Sequence, residues 1–428
     1  MGLPRSPAPM ASRALRCFCL LIPLVTFVLL LGGVASAGMV RPNALDRRVD
    51  LLSPQALLSE PAAALVDPAR QAAEVRRAHW TLVGWLLIPI SQALALFYLW
   101  TTGGAASLRD RLRGRFHSEW LVRFLFGASL ALVARLASFI PSFYLYRVDR
   151  ALDVTFELTR FWFVFWIYHT LLAMIVAGLI AAVILWLAER THQWYVYTIV
   201  GILEVSTGWS YAAPYVQSPF AVHLISGALA PRLHALVRRA QLPRVAIYVA
   251  SAGNTPLGEA EVLGLGASRR IQLTDTLIAG GTPEEIEYEV AYDLSKMARH
   301  DLFEIALIQG GVVIVFAALA VVIADRIRFR RDDDPLSRLA IVGALLALVW
   351  IIAVPVRNAA LRSYDRGANR YAVALTGNPA AAVRALVRST DQQMEEVCPE
   401  KTAMLFLYTE PGIGERVAAI NHIPSGCP

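Results

Sequence analysis

Residues 264–277 read GLGASRRIQLTDTL, and residues 282–296 read TPEEIEYEVAYDLSK. The second stretch opens with helix-start chemistry. Thr282 suits the N-cap and Pro283 the first helical position, while Glu284 and Glu285 complement the positive end of the helix dipole. The helix is expected to run on past Asp301 towards an apolar segment. Tyr292 and Lys296 stand four residues apart on it, and so share one face. Just before the helix, the Arg270–Leu273 region reads as a strand. Further upstream, Val245–Ala250 reads as another strand and Gly253-Asn254 as a turn.

The surrounding chain is apolar. Of 428 residues, 56 % are hydrophobic and only 17 % charged, against roughly 45–50 % and about 25 % in soluble domains. That excludes an ordinary soluble enzyme, a disordered chain and a disulfide-dense secreted scaffold. Six stretches approach the roughly 20 apolar residues that a membrane helix needs. They are Trp80–Trp100, Trp120–Tyr146, Phe161–Leu187, Tyr195–Tyr215, Phe303–Ala324 and Leu339–Val356, with Trp and Tyr at many ends as interfacial anchors. The net charge of +7 fits basic loops in a membrane protein. No basic patch with interleaved aromatics points to nucleic acid. Lys296 and Lys401 are the only lysines.

The N-terminus has Arg5, Arg13 and Arg16, an apolar run from Cys17 to Leu31, and Ala35-Ser36-Ala37 before Gly38. A cleaved signal peptide and a retained first transmembrane helix both fit residues 1–37. The expected organisation then runs through a membrane-spanning region over 38–216 and a hydrophilic lobe over 217–302, entered at Pro214 and Pro219. Two membrane helices follow over 303–357, and a second soluble piece over 358–428. Arg326, Arg328, Arg330, Arg331 and the run Asp332-Asp333-Asp334-Pro335 read as a solvated turn between those two helices. Besides Cys17 and Cys19 in the apolar N-terminal run, the tail holds Cys398 and Cys427. These would form a disulfide in an oxidising compartment and stay free thiols elsewhere.

Three collinear segments carry a family likeness. Residues 264–287, residues 363–379 (SYDRGANRYAVALTGNP) and residues 409–420 (TEPGIGERVAAI) resemble the type I CAAX prenyl endopeptidases, a family of membrane zinc metallopeptidases related to HtpX. The resemblance is firm over about residues 240–428. It implies a mainly α fold, a multi-pass helical barrel enclosing a water-filled chamber, with a small α+β metallopeptidase-like lobe. It also implies zinc and peptide hydrolysis.

This sequence departs from the family where that chemistry should lie. The H-E-x-x-H position reads Tyr292-Asp293-Leu294-Ser295-Lys296. Asp365 stands where the family has its third metal ligand, a glutamate. Asn369 replaces the following aspartate, and Glu410 the histidine of the T-H-P motif. Near Glu259 and Ala260, in the substrate-aligning edge strand, the family's asparagine is replaced. Two imidazoles one helical turn apart can grip one Zn²⁺ while the intervening glutamate activates water. A phenol with a pKa near 10 is a poor ligand, and an ammonium has no lone pair to donate. No other histidine pair has the H-x-x-x-H spacing; His300 is the one nearest the motif. Zinc is therefore expected to be lost. The Lys296 ammonium is expected to pair with Asp365, and with Asp293, in place of the metal's charge; pointing into water is its alternative.

Other readings of these residues are weaker. Tyr292 and Lys296 have the Y-x-x-x-K spacing of short-chain dehydrogenases, but the chain lacks the βα repeats and the Gly-rich loop. Ser295 and Lys296, adjacent on a helix, diverge too far for a dyad. Arg135, His169 and Glu204 fall inside candidate spans. They would line the chamber, or else snorkel and pair between helices. Basic loops at Arg109–Arg115 and Arg326–Arg331 place the lobe and tail outside if both loops are cytoplasmic; the resemblance implies the opposite face. The Arg- and Ala-rich usage suggests a GC-rich bacterium and its inner membrane, with the lobe on the periplasmic side. The expected function is that of a pseudoprotease, a lipid-embedded protein without a cofactor that binds a peptide or lipidated protein or regulates a protease partner. An active metalloendopeptidase with a non-standard site and a structural membrane scaffold are the alternatives.

Overall fold

A computed structural model describes residues 48–217, 222–242, 245–252, 258–327 and 334–427. The N-terminal segment with Cys17 and Cys19, Pro219, the Gly253-Asn254 turn and residues 328–333 lie outside the described residues. The chain is mainly helical with a small α+β lobe. Five described helices are long and apolar enough to cross a membrane: Pro68–Thr101, Glu119–Ala137, Thr159–Arg190, Asp301–Arg326 and Pro335–Thr376. Four of the stretches expected from composition fall inside four of these.

Two stretches differ from expectation. Trp120–Tyr146 is not one helix but two, Glu119–Ala137 and Phe139–Ala151, which meet at the buried Ser138. Pro141 accounts for the break. Its ring would clash with the Ala137 carbonyl in a continuous helix, whereas in the first turn of a new helix its missing N–H costs nothing. Tyr195–Tyr215 lies in helix Trp194–Gln217, which is not among the five and continues through Pro214. Pro214 therefore does not mark the entry to the lobe.

Small residues let the helices approach closely. A Cβ on Gly127 would stand 2.7 Å from the Ala177 carbonyl oxygen, and one on Gly178 would stand 2.7 Å from that of Phe124. Helices Glu119–Ala137 and Thr159–Arg190 thus pack backbone to backbone, as membrane helices do when burial supplies no driving force. At one end of the bundle, Arg113 Nη1 lies 2.7 Å from Asp334 and Arg109 Nη1 lies 3.6 Å from it. Arg109–Arg115, expected as a loop, forms the end of helix Gly104–Arg115 and meets the start of helix Pro335–Thr376. The lobe joins the opposite end of the neighbouring helix Asp301–Arg326, whose 26 residues span about 39 Å.

Arg135, His169 and Glu204 do not line the cavity within the helical layer. That cavity, of 450 Å³, is bounded by Trp85, Pro89, Gln92, Ala134, Phe316 and Trp350, among others. Arg135 Nε donates to Thr170 Oγ1 at 3.3 Å, and its guanidinium lies 5.6 Å from the Trp166 ring. His169 and Glu204 are exposed.

The lobe is built on a four-stranded sheet of β1 (Val222–Leu224), β2 (Ala246–Ala250), β3 (Ala260–Leu263) and β4 (Arg270–Thr274), in the order β1-β2-β4-β3. β2 and β4 run parallel, with Ile247 opposite Ile271; β3 pairs antiparallel with β4, and no strand pairs with its other edge among the described residues. Ile247, Ile271 and Leu273 are fully buried, in one core with Leu233, Ile286 and Leu294. The motif helix, Pro283–Ala298, packs on this core. Thr282 Oγ1 accepts from the Glu285 N–H, and Glu285 Oε2 accepts from the Thr282 N–H at 2.8 Å, a reciprocal capping box.

The motif helix does not run on past Asp301. It ends at Arg299, where His300 takes a left-handed conformation (φ +61°), and a new helix starts at Asp301. The second long helix, Pro335–Thr376, carries both the apolar stretch and Asp365 without a break, and stops at Gly377 (φ +68°). Near the C-terminus, Cys398 and Cys427 form a disulfide with Cα atoms 5.3 Å apart.

Candidate functional site

The motif helix presents Glu289, Tyr292, Asp293 and Lys296 at the i, i+3, i+4, i+7 spacing of one helical face. All four line a cavity of 490 Å³ between this helix and the edge strand β3. Its neighbour Pro335–Thr376, called the partner helix below, brings Asp365 and Asn369 alongside, one turn apart. The loop before helix Ile413–Asn421 supplies Glu410, and that helix supplies Arg416.

These groups form one polar network. Tyr292 OH donates to Asp365 Oδ1 at 2.7 Å. Lys296 Nζ lies 3.6 Å from the same oxygen and 3.8 Å from Asp293 Oδ1. One turn back, Tyr288 OH donates to Asn369 Oδ1 at 2.6 Å, and Arg416 Nε donates to that oxygen at 3.1 Å. Arg416 Nη1 reaches Glu410 Oε2 at 2.6 Å. Two cations flank the Tyr292 ring, Lys296 Nζ at 4.6 Å and the Arg416 guanidinium at 4.9 Å from its centroid, within the range of cation–π attraction.

Burial sets the protonation of the face. It pushes the Tyr292 phenol well above its ordinary pKa, so the group stays a donor. It raises Asp293 to about 7 against the opposing pull of Lys296, and Glu289 to about 7 against that of Arg416. Burial works against the Lys296 charge too, but Asp293, Glu410 and Asp365 outweigh it and hold its pKa above the usual value. Burial likewise opposes ionisation of Glu410, and Arg416 followed by Lys296 reverses the shift, so this carboxylate titrates low. Asp293 Oδ2 is buried and accepts no hydrogen bond.

The donor set does not fit a zinc ion. A protonated phenol and an ammonium occupy the i and i+4 positions that neutral imidazoles would have to fill. Asp365, the remaining carboxylate, already accepts from Tyr292 and lies beside Lys296. Among the described residues, no group of three or more His, Cys, Asp or Glu side chains could hold a metal ion. His300 is exposed at the helix break.

Tyr292, Asp293, Lys296, Asp365, Asn369 and Glu410, six positions picked out from sequence, thus meet in one place. Glu259 and Ala260 lie across the cavity, at the start of β3. Arg416, Tyr288, Glu261, Glu289 and Glu395 were missed. The i−3 spacing from Tyr292 marks Glu289, and Arg416 lies inside the recognised 409–420 segment.

Asp293 gives the site a pH signature. Its carboxyl titrates near 7 in the folded chain and near 4 unfolded. The folded state therefore holds the extra proton between those values, and this group's contribution to stability falls as pH rises from about 4 to 7. Asp293→Asn removes that loss. Its thermal midpoint in detergent should gain on the wild type as pH goes from 5 to 8; a gap that stays constant over that range contradicts the assignment.

Comparisons with known proteins agree with this geometry. Residues 226–424 match Peptidase family M48. Protease HtpX homolog 1 of Streptomyces coelicolor is 24 % identical over 262 residues, covering 57 % of this chain and 77 % of that protein. The uncharacterized metalloprotease YhfN of Bacillus subtilis is 22 % identical over 341 residues, covering 75 % and 78 %. The crystal structure of S. mikatae Ste24p superposes with a TM-score of 0.69 at 15 % identity, over 93 % of this chain and 98 % of that one, which shows a shared fold. Residues 226–424 are thus similar to peptidase family M48 and the chain shares the fold of Ste24p, while Tyr292, Lys296 and Asp365 leave no metal-binding cluster among the described residues.

Proposed function

We propose that this protein is a membrane pseudoprotease, which holds polypeptide in the cleft between the motif helix and β3 and does not hydrolyse it. The observation that carries the reading is the hydrogen bond from Tyr292 to Asp365, with Lys296 beside the same oxygen. That contact occupies the place of the metal with a neutral donor and a fixed positive charge. Neither can polarise a carbonyl as a Lewis acid or lower the pKa of a bound water. The open edge of β3 supports the binding half of the proposal, because an unpaired strand edge can accept an extended peptide as an added strand. On this reading a lipidated or unfolded polypeptide is retained, or delivered to a competent protease.

Elemental analysis coupled to a proteolysis assay tests the reading. The full chain, purified in detergent without chelators, should carry far less than one zinc per molecule. It should leave unfolded and prenylated peptides uncut. One zinc per chain, lost in Asp365→Ala together with cleavage, would overturn the proposal and restore an active peptidase.

We further propose that the lobe faces the oxidising side of a bacterial inner membrane. The Cys398–Cys427 disulfide supports this placement, as do bacterial relatives and the basic helix end Arg109–Arg115 at the far end of the bundle. In intact cells stripped of the outer membrane, a membrane-impermeant maleimide should label Cys398 and Cys427 only after reduction. Labelling that requires cell lysis would place the lobe inside.

A further inference from the structure

The cleft carries more carboxyl groups than the pseudoprotease reading needs. Glu259 and Glu261 project from the edge strand, Glu289 and Asp293 from the motif helix, and Glu395 from the segment after helix Pro379–Gln393; all five line the one cavity. Its three cations are already committed. Arg77 binds Asp149 at 3.0 Å and the Gln393 carbonyl at 2.7 Å. Arg416 is held by Glu410 and Asn369, and Lys296 by Asp293 and Asp365. None of the four glutamates makes an ion pair among the described residues.

A second observation points to a ligand rather than to a solvated acidic face. Asp293 is 2 % exposed, lines the cavity, and leaves Oδ2 without a hydrogen-bond partner. Burying an unsatisfied carboxylate oxygen is costly, and a donor arriving in the cavity would satisfy it. That donor is not a metal ion, because the carboxylates do not converge into a chelating group among the described residues. An organic cation with N–H groups, arriving beside the strand edge, would satisfy that oxygen and match the acidic lining of the cavity. A lysine or arginine side chain on an extended peptide meets both conditions. Residues of such a peptide laid along β3 would alternate in direction, which brings every second side chain towards the face that bears Glu259 and Glu261.

We infer that the cleft between β3 and the motif helix selects polypeptides by a basic side chain, whose ammonium or guanidinium docks on Asp293 Oδ2 and Glu289. This inference rests on the peptide-binding reading above and adds its specificity.

The test uses the full chain in nanodiscs and three fluorescent alanine-based peptides of equal length, carrying a central lysine, norleucine or glutamate. Norleucine keeps the apolar stem of lysine and deletes its charge, so the comparison needs no variant of the protein. The lysine peptide should bind about tenfold or more tightly than the norleucine peptide, a gap of about 1.4 kcal/mol, and the glutamate peptide most weakly. Asp293→Asn and Glu289→Gln should each shrink the lysine advantage, while Glu60→Gln, at an exposed helix end elsewhere, should leave it intact. Equal binding of lysine and norleucine peptides overturns the charge selectivity and leaves the peptide-binding role standing. Failure of all three to bind overturns both.

Discussion

One oxygen atom, Asp365 Oδ1, joins the two helices that a zinc peptidase would join through its metal. It accepts from the Tyr292 phenol and lies beside the Lys296 ammonium. An isolated carboxylate in this setting would be destabilising, and removing one partner from a buried pair typically costs about 3–5 kcal/mol. Metal-to-ligand attraction is thus replaced by an ion pair and a hydrogen bond of similar reach. The motif helix and the partner helix are cross-linked through these side chains rather than through metal ligands. Flanking the Tyr292 ring with Lys296 and Arg416 fixes its orientation, and its raised pKa keeps it a donor.

The rest of the architecture follows from where those two helices come from. The partner helix begins among membrane spans and ends in the lobe, so the position of Asp365 is tied to the bundle as well as to the sheet. The motif helix is fixed at its start by a capping box and along its length by the Ile286–Leu294 core. Across the cavity from the motif helix lies the edge strand β3, and the cavity keeps acidic groups whose burial is unfavourable when charged. Such a cleft is what the proposed peptide-binding role requires.

Much of this was legible in the sequence, for physical reasons that differ by element. The start of the motif helix announces itself because capping chemistry is local: Thr282, Pro283 and Glu285 act within one turn. Its end does not, because the left-handed turn is taken by His300 and not by a glycine. The break at Ser138 was hidden by the apolar residues on both sides, although Pro141 marks it in retrospect. Asp365 could be matched because it falls in a recognisable segment, and Lys296 because it follows another on the same helix. Arg416 was overlooked, since its role depends on a helix from the C-terminal tail swinging back over Tyr292, and that contact has no local signal. The disulfide was one of two open readings, and the fold brings its two cysteines together.

The most direct measurement of the central claim is anomalous scattering at the zinc absorption edge from crystals of the full chain grown or soaked with zinc. The account predicts no anomalous peak between the motif helix and Asp365, with the Tyr292 hydroxyl within hydrogen-bond distance of the Asp365 carboxylate. A strong peak within coordination distance of Asp365, with Lys296 swung away, would contradict it.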